Sequence, residues 1–199
     1  MVVVAHPDDA DYLAAGTMAK WARAGIEVIL VVITDGSKGS DDPTITREQL
    51  IAIRQAEQRA AASCLGVDEV VFLGYEDGAL EDTSALRRDL TRVIRQYRPD
   101  RVICMDPTVR WSGQGYINHP DHIAGANAAL AAIYPLARNR ASYPELLAAG
   151  LEPHKVRHVY LGGTLAPDHW IDITETIDLK IQALKQHRSQ VDGESVEEM

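Results

Sequence analysis

Residues 27–34, EVILVVIT, form a continuous and largely β-branched run that is apolar from 28 to 33 and follows a glycine-containing segment. Such a run predicts a strand covered on both faces, because a strand with one face in solvent alternates apolar and polar residues. Strands of this kind belong mainly to parallel sheets, whose strands are connected by helices that cross over the sheet. The run therefore predicts an α/β fold.

The other predicted elements alternate along the chain between strands and helices. We predict further strands at 2–5, 69–73, 101–105, 158–161 and 170–173, and helices at 12–24, 46–65, 84–97, 120–134 and from 174 to about 187. This order predicts a Rossmann-like, doubly wound, mainly parallel sheet with helices on both faces. With 199 residues, we predict a single domain over 1–199, with a lid or insertion at 138–156 and a frayed tail at 191–199.

Charge and composition exclude several classes of protein. The net charge of −9, without a long cluster of Lys or Arg, argues against a nucleic-acid-binding protein, which would present a basic face. We expect no membrane span, because no apolar run approaches the ~18 residues that one needs. Two cysteines, Cys64 and Cys104, form no CxxC motif, which is typical of reduced thiols in a cytoplasmic protein. We also expect a homo-oligomer.

Four polar segments lie where predicted strands end or where the loop after a strand leads into a helix. They are AHPDDAD at 5–11, TDGSKG at 34–39, GYEDG at 74–78 and HPDH at 119–122. Because the carboxyl ends of parallel strands meet at one edge of a sheet, these segments predict a common site. The first of them lacks the glycines of a dinucleotide-binding loop, and its acids would repel a pyrophosphate. The site is therefore expected to hold something charged other than a dinucleotide.

The segments HPDD at 6–9 and HPDH at 119–122 share one local design. Proline favours the first position of a helix, and residues three apart lie on one helix face, so each segment should point two side chains the same way. Nitrogen and oxygen donors without thiolate suit zinc or another divalent first-row metal, and a catalytic zinc site uses three protein ligands. The two segments offer six candidates, namely His6, Asp8, Asp9, His119, Asp121 and His122. Because six exceeds three, the candidates that are not ligands would act as general base or acid.

Helix capping alone is an adequate explanation of one HPD segment, because an aspartate is favourable near a helix N-terminus. It explains two such segments at predicted strand ends much less well. The residues by themselves do not decide which of the six candidates are ligands.

AHPDDAD with the following GTMAKWARAG, then TDGSKG, then NHPDH, resembles the LmbE-like or PIG-L family of N-acetylglucosaminyl deacetylases over nearly the whole chain. Members are zinc-dependent amide hydrolases that remove acetyl from N-acetylglucosamine conjugates, and mycothiol-conjugate amidases belong with them. The resemblance implies Zn²⁺, or another divalent first-row metal, as cofactor. It also implies a small-molecule sugar conjugate as substrate.

The resemblance also implies a role for each residue of the two HPD segments. The metal ligands would be His6, Asp9 and His122. Asp8 would be the general base on the metal-bound water, and His119 would stabilise the tetrahedral oxyanion or protonate the amine. Asp121 would orient His119 from behind.

Two further residues are candidates for substrate binding. Arg54 matches an arginine that family members use near the substrate, although a solvated helix charge is an equal alternative. Asp77 would hydrogen-bond sugar hydroxyls, against the alternative of a turn aspartate. His187 is expected to pack rather than to act in catalysis. Trp111 would either stack on a sugar ring or anchor its loop, and both alternatives stay open.

Three functions remain in competition. The first is a deacetylase of an N-acetylglucosamine conjugate, and the second is an amidase that cleaves a larger amide such as a mycothiol-type conjugate. The third is a metal-binding or sugar-binding protein without catalysis. Asp8 and His119 argue against the third, because binding alone requires neither of them.

Overall fold

The computed structural model describes residues 1–113 and 115–191. The strands are β1 (Val2–Val4), β2 (Ile29–Thr34), β3 (Glu69–Tyr75), β4 (Arg101–Met105), β5 (Trp111–Ser112), β6 (Tyr116–Ile117) and β7 (His158–Gly162). The helices are α1 (Asp9–Arg23), α2 (Arg47–Cys64), α3 (Ser84–Tyr97), α4 (Pro120–Ile133), α5 (Pro144–Ala148) and α6 (Ile177–Leu184). Short 3₁₀ turns lie at Leu136–Arg138 and Thr174–Thr176.

The central sheet has the strand order β3-β2-β1-β4-β7, and all of its pairings are parallel. The chain runs outward from β1 to β3 and then returns to β4 on the other side of β1. β1 and β4 therefore flank the switch point, where ligand sites form in open α/β sheets. The predicted Rossmann-like, mainly parallel α/β fold is confirmed.

Alternate residues of the central strands pack into two apolar layers, one on each face of the sheet. Val3, Val31 and Ile33 face the layer that contains buried residues of α3 and α4. Val4 and Val32 face the layer that contains buried residues of α1, α2 and α6. Coverage of both faces explains the uninterrupted apolar run in β2, because each residue from Ile29 to Ile33 enters one layer or the other.

Helix α2 presents an unusual buried stripe. Its start is fixed by a capping box, in which Thr46 and Gln49 each accept a hydrogen bond from the other's peptide N–H. The helix then buries Leu50, Arg54 and Gln58 at four-residue spacing. Two polar side chains one turn apart are thus directed into the molecule, where each requires a hydrogen-bonding partner.

The predicted strand at 170–173 is wrong. These residues have no regular secondary structure and pair with no strand, and Trp170 is 74% exposed. Ile173 instead packs on α1, where a Cβ added at Gly16 would lie 2.7 Å from its Cδ1 atom. The last helix also ends at Leu184, before His187.

The segment 138–156 contains α5 and lies against α3. The buried guanidinium of Arg95 donates to the carbonyl oxygens of Asn139 (2.8 Å) and Ser142 (3.0 Å). Tyr143 donates from its hydroxyl to the carbonyl oxygen of Ser84 at 3.2 Å. A role for this segment as a lid or insertion stays a prediction, and the predicted frayed tail falls, from residue 192 onward, outside the described residues.

Within 1–113 and 115–191, no helix combines the length and the apolar character required to cross a bilayer.

Candidate metal centre and active site

The two HPD segments reach the switch point in different ways. After β1, Asp8 is the N-cap residue of α1 and has a φ of 92°, a conformation that non-glycine residues rarely adopt. Before α4, His119 is the N-cap residue and Pro120 is the first helical residue. The predicted proline position therefore holds for α4, whereas α1 begins two residues after Pro7.

His6, Asp9 and His122 converge at this point. The Nε2 atom of His122 lies 3.2 Å from Nδ1 of His6 and 3.1 Å from Oδ1 of Asp9. The other Asp9 oxygen is 3.4 Å from Nδ1 of His6. These donor atoms lie within 4.8 Å of one another and form a group that could hold a metal ion. The structure thus brings together the three side chains that the resemblance implied as ligands.

Outer hydrogen bonds orient both histidine rings. Nδ1 of His122 lies 3.0 Å from Oδ1 of Asn118, whose amide nitrogen donates to the carbonyl oxygen of Val109 at 2.8 Å. The amide orientation makes Oδ1 an acceptor, so His122 carries a proton on Nδ1 and leaves the Nε2 lone pair for a metal ion. For His6, Nε2 lies 3.2 Å from Oδ2 of Asp121, so Nδ1 is the ring nitrogen that faces the group.

Asp121 contacts a different histidine from the one predicted. Its carboxylate lies against His6 and accepts peptide N–H groups from Gly78 (2.7 Å) and Leu80 (3.2 Å). Its link to His119 is made by the backbone, since the Asp121 peptide N–H donates to Nδ1 of His119 at 3.2 Å. The carboxylate therefore orients His6, and the peptide group orients His119.

Asp77 is 5% exposed and lies behind His6. One of its oxygens is 3.2 Å from Nε2 of His6, and the other accepts the Lys38 peptide N–H at 2.9 Å. A second potential metal group combines Asp77 with His6, His119 and Asp121. The two groups share His6, and only the His6, Asp9 and His122 group consists entirely of residues that the resemblance implied as ligands.

The electrostatics of the centre favour a cation. Burial opposes charge on His6, but its hydrogen bonds to Asp77 and Asp9 outweigh burial and raise the pKa of His6 to about 10. Burial likewise opposes charge on Asp9, yet His122 and His6 hold its pKa well below the usual range. Several carboxylates thus converge on one buried space, and the donor set is that of a divalent metal site.

Asp8 lies beside this group and is largely buried. Burial and the neighbouring charge of Asp9 outweigh the attraction of Arg54 and raise the pKa of Asp8 to about 6. Its carboxylate accepts a hydrogen bond from Nη2 of Arg54 at 3.2 Å. A carboxylate with a pKa in this range is suited to accept a proton near neutral pH.

Arg54 is 4% exposed, so it is not a solvated helix charge. Besides Asp8, its guanidinium donates to the carbonyl oxygens of Pro7 (2.7 Å) and Gly36 (2.9 Å). A Cβ at Gly36, whose φ is +65°, would come within 2.9 Å of Nη1, which explains the glycine. Arg54 therefore ties the loop after β2 to the turn after β1.

A cavity of about 360 Å³ opens beside two of the three predicted ligands. Its walls are Asp9, Tyr12, Leu13, Met105, Asp106, Val109, Tyr116, Asn118, His122, Gly162 and Gly163. The short β5–β6 ribbon forms part of its rim: Tyr116 lines the cavity, whereas Trp111 pairs opposite Ile117 and is 67% exposed. Because alternate ribbon residues point to opposite faces, Trp111 projects away from the Tyr116 side.

Three contributing residues were not identified, or not understood, from the sequence. Asn118 directly precedes HPDH, and Gln58 follows Arg54 by one helical turn, so position alone could have suggested both. His187 was expected to pack, and it is fully buried. Its Nε2 atom also lies 2.9 Å from Oδ2 of Asp11, a contact that the sequence does not indicate.

Comparisons with known proteins agree with this geometry. The chain is 31% identical over 185 residues to the diacetylchitobiose deacetylase of Thermococcus kodakarensis, covering 93% of this chain and 67% of that protein. It is 30% identical over 196 residues to a probable N-acetyl-alpha-D-glucosaminyl L-malate deacetylase 2 of Bacillus anthracis, covering 96% of this chain and 80% of that protein.

Among solved structures, N,N'-diacetylchitobiose deacetylase from Pyrococcus horikoshii, complexed with its inhibitor, superposes with a TM-score of 0.88 and 33% identity. The match covers 96% of this chain and 70% of that one. Residues 1–133 match the PIG-L family, described as GlcNAc-PI de-N-acetylase. The resemblance seen in the HPD segments is confirmed, and the chain belongs to the PIG-L family.

Proposed function

We propose that this chain is a zinc-dependent hydrolase that removes the acetyl group from an N-acetylglucosamine conjugate. The observation that carries the proposal is the convergence of His6, Asp9 and His122 beside an open cavity, with Asp8 next to them. Relatives that share 30–31% identity with the chain are named as deacetylases of acetylated glucosamine compounds. The family and the geometry thus support the same reaction class.

His6, Asp9 and His122 would hold the metal ion, and their nitrogen and oxygen donors suit zinc. When bound, the ion supplies Lewis-acid polarisation of the amide carbonyl and lowers the pKa of a water molecule. The orientation of the two imidazole rings by Asn118 and Asp121 prepares this donor set in advance.

Asp8 would accept a proton from the water molecule as the water oxygen forms a bond to the amide carbon. The pKa of Asp8, which burial and Asp9 raise to about 6, matches this task. Arg54 holds the Asp8 carboxylate at 3.2 Å and fixes its direction. In this role Arg54 supports the base rather than binding the sugar.

His119 would stabilise the negative charge that develops on the amide oxygen as the water attacks. Since its Nδ1 accepts the Asp121 peptide N–H, the neutral ring carries its proton on Nε2 and can donate a hydrogen bond from it. Burial and the nearby charge of His6 lower the pKa of His119, which favours this neutral form. Asp8 would then pass the proton taken from the water to the leaving nitrogen, and cleavage of the C–N bond would yield acetate and the free amine.

The substrate we propose is a small neutral sugar conjugate. The walls of the cavity combine apolar side chains such as Leu13, Met105 and Val109 with the polar groups of Asp106 and Asn118. Such a mixture suits a sugar ring with an acyl group. We propose no nucleic-acid partner, in keeping with the net charge of −9.

Acetate release from a substrate panel tests the proposal. The metal-free protein and the protein reconstituted with zinc would be assayed on diacetylchitobiose, N-acetylglucosaminyl malate, N-acetylglucosaminyl inositol and a mycothiol-type thiol conjugate. We expect zinc-dependent acetate release from at least one acetylated sugar. Release of the larger acyl group only would favour the amidase, and zinc binding without release from any substrate would favour a non-catalytic protein.

We also propose a homo-oligomer in the cytoplasm. Support for the oligomer comes from the apolar side chains exposed on and beyond the outer strand β7, namely Val159, Leu161, Leu165 and Trp170. The free cysteines Cys64 and Cys104 suit a reducing compartment. Light scattering of the purified protein tests the first statement, and fractionation of expressing cells tests the second.

A further inference from the structure

We propose that Gln58 is a positioning residue that holds the backbone of Asp8 for catalysis, backed by Asp11 and His187. The proposal rests on the proposed role of Asp8 as general base. It assigns a function to a series of buried, hydrogen-bonded polar side chains that lie outside the group of predicted metal ligands.

Gln58 is fully buried and bonds on both sides of its amide. Its Oε1 atom accepts the Asp8 peptide N–H at 2.8 Å, and its Nε2 atom donates to Oδ2 of Asp11 at 2.8 Å. Since only the oxygen can accept from a peptide N–H, the amide orientation is fixed. Gln58 is therefore set between a backbone donor and a carboxylate acceptor.

The chain of hydrogen bonds continues from Asp11 to His187. Oδ2 of Asp11 lies 2.9 Å from Nε2 of His187, and both residues are fully buried. Oδ2 of Asp11 accepts the Gln58 amide N–H, and it is the acceptor for Nε2 of His187 as well. Three consecutive hydrogen bonds thus connect the Asp8 peptide group with a residue just after α6.

Asp8 has a particular need for such support. Its φ of 92° is rare for a non-glycine residue, and conformations of this kind persist where the surrounding contacts over-determine them. Arg54 and Gln58, one turn apart on the buried face of α2, supply these contacts. Arg54 holds the carboxylate of Asp8, and Gln58 holds its peptide N–H.

Loss of the Gln58 contact should affect turnover more than metal or substrate binding. Asp9 is held separately, because its carboxylate accepts the His6 peptide N–H at 2.7 Å. Among the described residues, Gln58 is the hydrogen-bond partner of the Asp8 peptide nitrogen. A base displaced by a fraction of an ångström lowers the rate of proton transfer, and small misplacements can reduce rates by about 100-fold.

The test is the variant Gln58→Met, which keeps the side-chain length and removes both hydrogen bonds. We expect kcat to fall about 10- to 100-fold, with KM and zinc content unchanged within about twofold. The matched control is Leu90→Ala, a fully buried change in the apolar layer on the α3 side of the sheet. We expect it to lower the melting temperature while leaving kcat unchanged.

A double-mutant cycle identifies the residue through which Gln58 acts. In an Asp8→Ala background, Gln58→Met should cause no further loss of the residual rate, because the positioned carboxylate is already absent. An unchanged kcat in the single Gln58→Met variant would overturn the inference, as would an equal fold-loss in the two backgrounds. A wild-type rate for Asp8→Ala alone would instead overturn the proposed base.

If Gln58→Met does not fold, a pair of variants at His187 decides the question. His187→Gln retains a donor for Asp11, whereas His187→Met has none. We expect His187→Gln to preserve most of kcat and His187→Met to lower it at equal zinc content. Equal rates in the two variants would contradict the positioning chain.

Discussion

Replacement of Arg54 by methionine should be costly for both stability and turnover. The guanidinium makes three hydrogen bonds inside the protein, to the carbonyl oxygens of Pro7 and Gly36 and to the carboxylate of Asp8. Methionine fills most of the space of the arginine side chain but cannot donate a hydrogen bond to any of these three acceptors. Breaking a buried ion pair by removing one partner typically costs about 3–5 kcal/mol, and two carbonyl acceptors would be left unpaired here as well.

We therefore expect Arg54→Met to lower the free energy of unfolding by about 3–5 kcal/mol. This is a large part of the total free energy of unfolding of an ordinary domain, which is roughly 5–15 kcal/mol. The assay is urea unfolding of the metal-free protein at pH 7, so that metal binding does not mask the loss. Arg59→Met is the control: Arg59 is exposed on the same helix and lies over the Phe72 ring. Its loss should cost at most about 1 kcal/mol.

An equal, small cost for Arg54→Met and Arg59→Met would refute this reasoning. It would mean that the contacts of Arg54 with Pro7, Gly36 and Asp8 contribute no more than a surface charge does. The kinetic counterpart is a fall in kcat for Arg54→Met, because Asp8 loses the donor that directs its carboxylate.

Three further results are expected. His122→Ala should lose bound zinc in metal analysis, and full occupancy would contradict the ligand assignment. Burial raises the pKa of Asp35, but its hydrogen bonds, led by the one from Arg47, outweigh burial and hold this pKa below the usual value. The Asp35 carboxylate therefore stabilises the fold above pH ~3.9, and this stabilisation is lost as the pH falls. The destabilisation by Asp35→Asn in urea unfolding should therefore be larger at pH 7 than near pH 3, and a cost that does not depend on pH would oppose this account. Gly16→Ala should lower the melting temperature although alanine favours a helix more than glycine does, since the new Cβ would lie within 2.9 Å of three Ile173 side-chain atoms. A higher melting temperature would refute the packing argument.

The meeting of the two HPD segments could be predicted from sequence because the information for it is local, whereas the choice of ligands among their residues came from the family resemblance. His6 and Asp9 lie three residues apart after one strand, and His122 opens a helix after another. Parallel strand order then brings the two segments together at the switch point without any knowledge of side-chain packing. The α/β fold could be predicted for the same reason, because the β2 run and the alternating strand and helix patterns around it are local features of the sequence.

The supporting contacts were not predictable in this way. Whether Arg54 is solvated or buried depends on which face of α2 docks against the sheet, and a polar residue on a helix is usually exposed. That Asp121 contacts His6 instead of His119 depends on where residues 78–80 pass the start of α4. Such facts arise from tertiary packing rather than from spacing along the chain.

The strand expected at 170–173 shows a second limit. Alternating apolar residues indicate that one face will be covered, but not by what. Here Ile173 is covered by α1, while Trp170 stays exposed beyond the outer strand of the sheet. An apolar pattern at a sheet edge therefore predicts burial better than strand pairing.

The most direct test of the account is a comparison of Asp8→Ala with Asp9→Ala, two neighbouring carboxylates to which it assigns different tasks. Zinc content and acetate release would be measured on both purified variants. We predict that Asp8→Ala keeps one zinc per chain and loses about 10²- to 10⁴-fold in rate, the usual effect of removing a general base. Asp9→Ala should bind zinc weakly and regain part of its activity with excess zinc. Near wild-type turnover in Asp8→Ala, or full zinc occupancy in Asp9→Ala, would contradict the assignment.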